Sequence, residues 1–125
     1  MEIRVYYEDT DCGGVVYYAN YLRYFERART EFLRGRGVDV AHWMERGFLF
    51  TVAEAHAKYL ASAVYGDLLR VSTRVTAVGR VRFDLAHAIT RASDGRVLVT
   101  GGTTMACVNS GRPARVPAPI LAALA

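Results

Sequence analysis

The run Glu8-Asp9-Thr10-Asp11-Cys12-Gly13-Gly14 sets three carboxylates and a thiol directly ahead of two glycines, and Val15-Val16-Tyr17-Tyr18-Ala19-Asn20-Tyr21 follows without a break. An ionised carboxylate can serve as a base toward water or as a nucleophile toward an electrophilic carbonyl. Cys12 is the weaker nucleophile here, because no histidine stands in the segment and a neighbouring carboxylate raises a thiol's pKa instead of lowering it. The Gly13-Gly14 pair lacks the lysine and hydroxyl residue of a phosphate-binding loop, so close backbone packing is its reading. Taken alone, Asp11 reads as a turn residue capping local N–H groups, as aspartate before glycine commonly does.

These residues need elements to hold them. Ile3 to Tyr7 alternates and is rich in β formers, which predicts a first strand ending at the acidic cluster. Behind the glycines, Leu22, Phe25, Ala28 or Arg29, and Phe32 recur at three- and four-residue steps, the stripe of an amphipathic helix over Ala19 to Arg34. Gly35 and Gly37 stop that helix. Asp39 to Gly47 predicts a short second helix. From Phe48 the period becomes two, predicting four long strands at Phe48–Leu60, Leu68–Val78, Arg80–Arg91 and Arg96–Val108. In the Leu68 strand one face carries Leu69, Val71, Val75 and Ala77 and the other Arg70, Ser72 and Arg74, so one side is buried and one is partly wet. Tight turns fall at Gly79 and at Asp94-Gly95, the latter a pair favouring a type I′ turn. The chain is one domain from residue 1 to 125, with a tail from about residue 114 in which Pro117 to Ala125 forms a terminal helical turn or nothing ordered.

The order of elements is that of the hotdog fold, an α+β arrangement in which a curved antiparallel sheet of about five strands wraps one long helix. The stretch Tyr6 to Arg34 closely resembles the signature of the YbgC-type and 4-hydroxybenzoyl-CoA thioesterases: an acidic pair around one residue, a small or proline residue with glycine, two branched apolar residues, two aromatic or histidine positions, then Asn-Tyr. The likeness continues through Lys58 to Val71 and the hairpins. It implies hydrolysis of a small or medium acyl-CoA thioester to the free acid and CoA, with no cofactor and no metal. By position, the family's catalytic carboxylate falls on Asp11 and its oxyanion donor, a backbone N–H at the start of the long helix, on Tyr18. Gly14, Val16, Tyr17, Asn20 and Tyr21 are the implied substrate-binding positions, and Lys58, Arg80 and Arg82 the candidates for the CoA phosphates. Tyr18 stands where YbgC relatives commonly carry histidine, so a histidine-assisted aspartate is not implied. Tyr17, Tyr18 and Tyr21 equally fit the filling of a helix–sheet junction, and Asn20 a hydrogen bond that holds the loop.

That chemistry suits the residues. A thioester carbonyl is already electrophilic, and a helix N-terminus offers unpaired N–H groups to the developing oxyanion. Neither a serine nor a cysteine is needed, consistent with the absence of a G-x-S-x-G elbow. Asp11 either attacks the carbonyl or activates water, and the sequence leaves both open. Asp9 and Glu8 read as structural. His42, His56 and His87 are scattered, with His87 alternating among Phe83, Leu85 and Ile89 as a core or interface residue.

The remaining composition narrows the alternatives. At 125 residues the chain has one core, and a deep ligand site calls for a neighbouring subunit, a homodimer or homotetramer. The two cysteines, Cys12 and Cys107, have no metal-ligand spacing and are expected to be reduced. The net charge of +4 is almost wholly arginine, Lys58 being the only lysine, and the arginines are not interleaved with aromatics as a nucleic-acid face would be. No apolar run suffices to span a bilayer and no basic-then-apolar leader opens the chain, so a cytoplasmic protein is expected. An acyl carrier protein is a further candidate partner. The rival readings are a dehydratase, which calls for a histidine missing from the motif, and a non-catalytic acyl-CoA-binding or scaffold protein of the same fold.

Overall fold

A computed structural model describes residues 1–125 in full. Six strands form one antiparallel sheet: β1 (Glu2–Arg4), β2 (Phe48–Tyr59), β3 (Leu68–Val78), β4 (Arg82–Arg91), β5 (Val97–Asn109) and β6 (Arg112–Pro113). Their order is β1-β3-β4-β5-β2, with β6 added to β5. Helix α1 (Asn20–Gly35) packs on one face, and the short α2 (Val40–Glu45) and α3 (Ala118–Leu124) close the lower end.

The buried face of α1 carries Tyr21, Tyr24, Phe25, Ala28 and Leu33. Leu22, expected in the stripe, is instead exposed and Phe32 only partly covered. The helix is thus turned by about one residue from the aliphatic stripe, which buries the larger rings of Tyr21 and Tyr24 in place of Leu22. On β3, Leu69 and Val71 are buried as the alternation predicts, but a bulge between Val75 and Ala77 shifts the register and leaves Ala77 exposed.

Other boundaries differ for identifiable reasons. The first strand ends at Arg4, not Tyr7: Val5 keeps one more bond pair with the β2–β3 connection, to Asp67 and from Gly66 (2.9 and 3.0 Å), and then the Asp9 carboxylate captures the Tyr6 N–H and starts a 3-10 turn over Tyr7–Asp9. A side-chain acceptor has displaced the ladder. The fourth strand begins at Arg82, because the Gly79 N–H closes the hairpin on the Arg82 carbonyl at 2.7 Å. The Asp94-Gly95 turn is not type I′, since only Gly95 has positive φ (70°). There the Asp94 carboxylate accepts the Arg96 N–H and the Arg91 guanidinium, an arrangement of the longer loop. The type I′ pattern falls at Ser110 and Gly111 (φ 53° and 78°), which turn β5 into β6.

Of the two alternatives for the segment beyond residue 114, the structure takes the helical one, α3, and packs it into the core. Val116, Ile120 and Leu124 join Leu33, Val38, Phe83, Leu85, Met105 and Cys107 in a second core, while the first gathers Tyr21, Tyr24, Phe25, Ala28, Leu69, Val71, Ile89 and Val99. Cys107 is buried, and burial pushes its thiol pKa up; Cys12 is exposed.

Between the two cores lies His87, buried and stacked on Phe25 at 4.6 Å. Its Nδ1 faces the Thr73 hydroxyl at 3.0 Å and its Nε2 the Thr103 hydroxyl at 3.2 Å. Burial first, then the charges of Arg29 and His56, lower its pKa to about 4. The unfolded chain binds this proton near pH 6.5, so the stabilisation is complete above that pH and drains as pH falls toward about 4. The loss from this group alone should reach about 2 kcal/mol at pH 5. His87→Gln, which keeps a donor and an acceptor but does not titrate, should flatten the stability profile between pH 4 and 6.5, measured by urea unfolding; parallel profiles would contradict this.

Candidate active site

The loop after the 3-10 turn is a closed excursion. Thr10 and Val16 pair as an antiparallel bridge, the Asp11 N–H bonds the Val15 carbonyl at 2.9 Å, and Gly14 takes φ 81° to turn the chain. Asp11 stands exposed at its tip, where its Oδ1 accepts the Gly13 N–H at 2.8 Å and its Oδ2 has no partner. The local capping role and an available carboxylate oxygen coexist in this geometry. Grooves open on both sides of Asp11. One of about 320 Å³ runs past Glu8, Thr10, Tyr17, Ala19, Asn20 and Arg23. The other, of about 760 Å³, runs past Cys12, Gly14, Tyr7 and Tyr65.

The descending limb leads straight into α1. The Tyr17 N–H bonds the Asp9 carbonyl at 2.9 Å, and the Asn20 N–H bonds the Tyr17 carbonyl at 2.8 Å. The N–H groups of Tyr18 and Ala19 have no acceptor in the chain. They are the free donors expected ahead of a helix. Tyr18 and Tyr17 are exposed, with ring centroids 4.8 Å apart. The Tyr18 hydroxyl, more than partial desolvation or the Asp11 charge, raises the Tyr17 phenol pKa.

The implied binding residues separate into two groups. Gly14, Tyr17 and Asn20 line the grooves. Val16 and Tyr21 do not, since both are buried in the first core. Asn20 is itself buried, and its amide is spent on the Asp9 carboxylate at 2.8 Å. The Tyr21 hydroxyl accepts the buried Ala63 N–H at 3.0 Å, tying α1 to the connection that pairs with Val15 and Val16. Burial raises the Tyr21 phenol pKa, and raises that of Tyr24 to about 12. Tyr21→Phe strands the Ala63 N–H, so a loss of about 1–3 kcal/mol is expected in urea unfolding; an unchanged midpoint would deny the contact.

Of the CoA-phosphate candidates, none adjoins Asp11. Lys58 neighbours Tyr59, whose ring meets Tyr18, but strand alternation turns it to the opposite face of β2. Arg82 pairs with Ala106, which pairs with Thr51. That places Arg82, with Arg80 in the preceding turn, roughly 26 Å along β2 from Tyr59 at about 3.3 Å per residue. The reading from sequence missed Tyr59, whose hydroxyl donates to the Tyr18 carbonyl at 3.2 Å, and Arg23 in the groove. Tyr59 is one more residue of a period-two strand, and nothing local marks its end as reaching the helix start.

The comparisons with known proteins concern the family and the fold. The family profile described as the thioesterase-like superfamily matches residues 5–124. An acyl-CoA thioesterase YbgC from Haemophilus influenzae is 39% identical over 124 residues, covering 97% of this chain and 90% of the relative. An acyl-CoA thioester hydrolase YbgC from Escherichia coli is 34% identical over 122 residues, covering 96% and 90%. Among solved structures, a 1,4-dihydroxy-2-naphthoyl-CoA thioesterase from Synechocystis superposes with a TM-score of 0.93 at 27% identity, covering 99% of this chain and 93% of that one. A 4-hydroxybenzoyl-CoA thioesterase, at 21% identity and a TM-score of 0.91, shares the fold, over 100% of this chain and 96% of that one. Matched by the family profile over residues 5–124 and by relatives of 34 and 39% identity over nearly its whole length, this chain belongs to the thioesterase-like superfamily and has the hotdog fold.

Proposed function

We propose that this thioester hydrolase cleaves a small or medium acyl-CoA to the free acid and CoA, with Asp11 and the Tyr18 N–H as its working groups. The observation that carries the reading is the unbonded Tyr18 N–H ahead of α1, two residues past the Thr10–Val16 bridge that closes the loop presenting the free Oδ2 of Asp11. A thioester carbonyl oxygen seated on that N–H gains a hydrogen bond that strengthens as negative charge develops on it. Two routes then balance. As a base, Asp11 takes a proton from water while the water oxygen bonds the carbonyl carbon, and the C–S bond breaks to release CoA thiolate, which takes up the proton. As a nucleophile, an Asp11 oxygen bonds that carbon, CoA thiolate leaves, and water opens the mixed anhydride.

The site works between copies. β2 bonds only β5, so the outer edge of a 12-residue strand is open, and such an edge is satisfied by another copy of itself. Antiparallel pairing of two β2 edges sets the Arg80–Arg82 end of one chain near the Asp11 end of the other, where the CoA phosphates can meet cations. We therefore place the protein as a homodimer or a dimer of dimers. No helix is long and apolar enough to cross a membrane.

Thiol release from short, long, branched and aromatic acyl-CoAs, with acyl carrier protein thioesters in parallel, tests the reading and yields the acyl class. Turnover on at least one CoA thioester supports it. Binding of CoA with no turnover on any thioester would instead favour an acyl-CoA-binding protein. A single turnover in ¹⁸O water that places the label in the Asp11 carboxylate establishes the nucleophilic route, with water opening the anhydride at the aspartyl carbon. When the label appears only in the product acid, trapping the acyl group on Asp11 with hydroxylamine tests the same route.

A further inference from the structure

We propose that Asp9 and Asn20 are the positioning pair of the reaction, aiming the Tyr18 N–H without touching substrate; the inference rests on the hydrolase reading above. Asp9 contacts three separate limbs of the loop. Its Oδ2 accepts the Tyr6 N–H at 2.8 Å, its Oδ1 accepts the Asn20 Nδ2 at 2.8 Å, and its backbone carbonyl accepts the Tyr17 N–H at 2.9 Å. Both side chains are buried. The segment that follows the first strand, the residue after the loop and the first turn of α1 therefore meet on one carboxylate-bearing residue.

The consequence for the donor comes from peptide geometry. In a trans peptide the N–H points away from the carbonyl of the same unit. The Tyr18 N–H shares its peptide with the Tyr17 carbonyl, and that carbonyl is bonded by the Asn20 backbone N–H at 2.8 Å. Asn20 thus grips the donor's peptide from behind with its main chain while Asp9 grips Asn20 by its side chain. The Tyr59 hydroxyl holds the next peptide through the Tyr18 carbonyl at 3.2 Å. Asp11, two residues beyond Asp9 on the ascending limb, is referred to the same anchor, so carboxylate and oxyanion donor share one frame.

The test exploits the polarity of the pair. Asn20→Asp sets two carboxylates across a contact of 2.8 Å. One proton shared between them would preserve the contact, so the variant is assayed at alkaline pH, above the raised pKa of the pair, where both ionise and their repulsion opens it. In the exchange variant Asp9→Asn/Asn20→Asp, the amide oxygen at position 9 still accepts the Tyr6 N–H, and its nitrogen donates to the new carboxylate at position 20. Asn20→Asp should lose about 10- to 100-fold in kcat with KM within about threefold, because a misplaced donor weakens the transition state more than binding. The exchange variant should recover kcat to within about fivefold of the native value. Amide hydrogen exchange supplies a readout besides activity: the Tyr17 N–H should be protected in the native and exchange proteins and open in Asn20→Asp. Should Asn20→Asp not fold, Asp9→Asn carries the same comparison. A folded Asn20→Asp protein with undiminished kcat overturns the proposal, as does an exchange variant that restores Tyr17 protection but not kcat. A native protein inactive on every thioester overturns the hydrolase reading itself, a result distinct from both.

Discussion

Asp11→Asn is expected to reduce thioester hydrolysis by about 10²- to 10⁴-fold while the melting temperature moves by no more than about 2 °C. The two halves of that expectation come from different atoms of one side chain. Oδ1 caps the Gly13 N–H at 2.8 Å, and an amide oxygen accepts that bond equally well, so the loop keeps its shape. Oδ2 is unpartnered and exposed, so replacing it with NH₂ strands nothing inside the protein. It does remove the negative charge and the lone pairs that either route requires. Asp11→Ala removes both functions and should lose activity with some stability, which makes the asparagine variant the informative one. The measurement is free-thiol release on the best acyl-CoA of the panel, with signal from the exposed Cys12 subtracted. Equal rates for native and Asp11→Asn proteins would leave Asp11 as a turn residue and move the chemistry to another base.

The sequence made the loop legible because its signals are local. Carboxylates before a glycine pair and Asn-Tyr at a helix start are readable as a motif, and the structure puts Asp11 at the loop tip and an unbonded Tyr18 N–H ahead of α1. The strand meander was equally readable from its period of two. Contacts between distant segments were not. Nothing near Asp9 signals that its carboxylate takes the Tyr6 N–H, cuts the first strand short and reaches across to Asn20. Leu22 and Tyr21 are both compatible with a buried stripe; which one turns inward depends on the Ala63 N–H awaiting the Tyr21 hydroxyl from another connection. The tail stayed open between a helical turn and nothing ordered because Ile120 and Leu124 bury themselves only against Phe83, Met105 and their neighbours from remote strands.

The largest structural effect is expected where α1 meets β5. Phe25 is fully buried, stacks on His87 at 4.6 Å and lies over Gly101, so Phe25→Ala should cost about 3–5 kcal/mol. Gly101 is the other side of that contact. A Cβ there would stand 2.3 Å from the His56 carbonyl oxygen and 2.8 Å from Phe25 Cε2. The ring can tilt or be trimmed, but the carbonyl belongs to β2 and yields only if the strand moves. Gly101→Ala should therefore cost about 1–3 kcal/mol, and it should keep most of that cost in a Phe25→Ala background. A double-mutant cycle by urea unfolding reads this directly: near-additivity places the collision on the strand, whereas strong rescue by Phe25→Ala would place it on the ring. The displacement also reaches the site. Gly101 pairs with Ala57, two residues before Tyr59, and Tyr59 holds the Tyr18 carbonyl. Pushing β2 outward at Ala57 loosens that grip, so folded Gly101→Ala protein should lose kcat at temperatures below its unfolding transition. Full activity in a folded but destabilised Gly101→Ala protein would show that the displacement at Ala57 does not reach the Tyr59 contact.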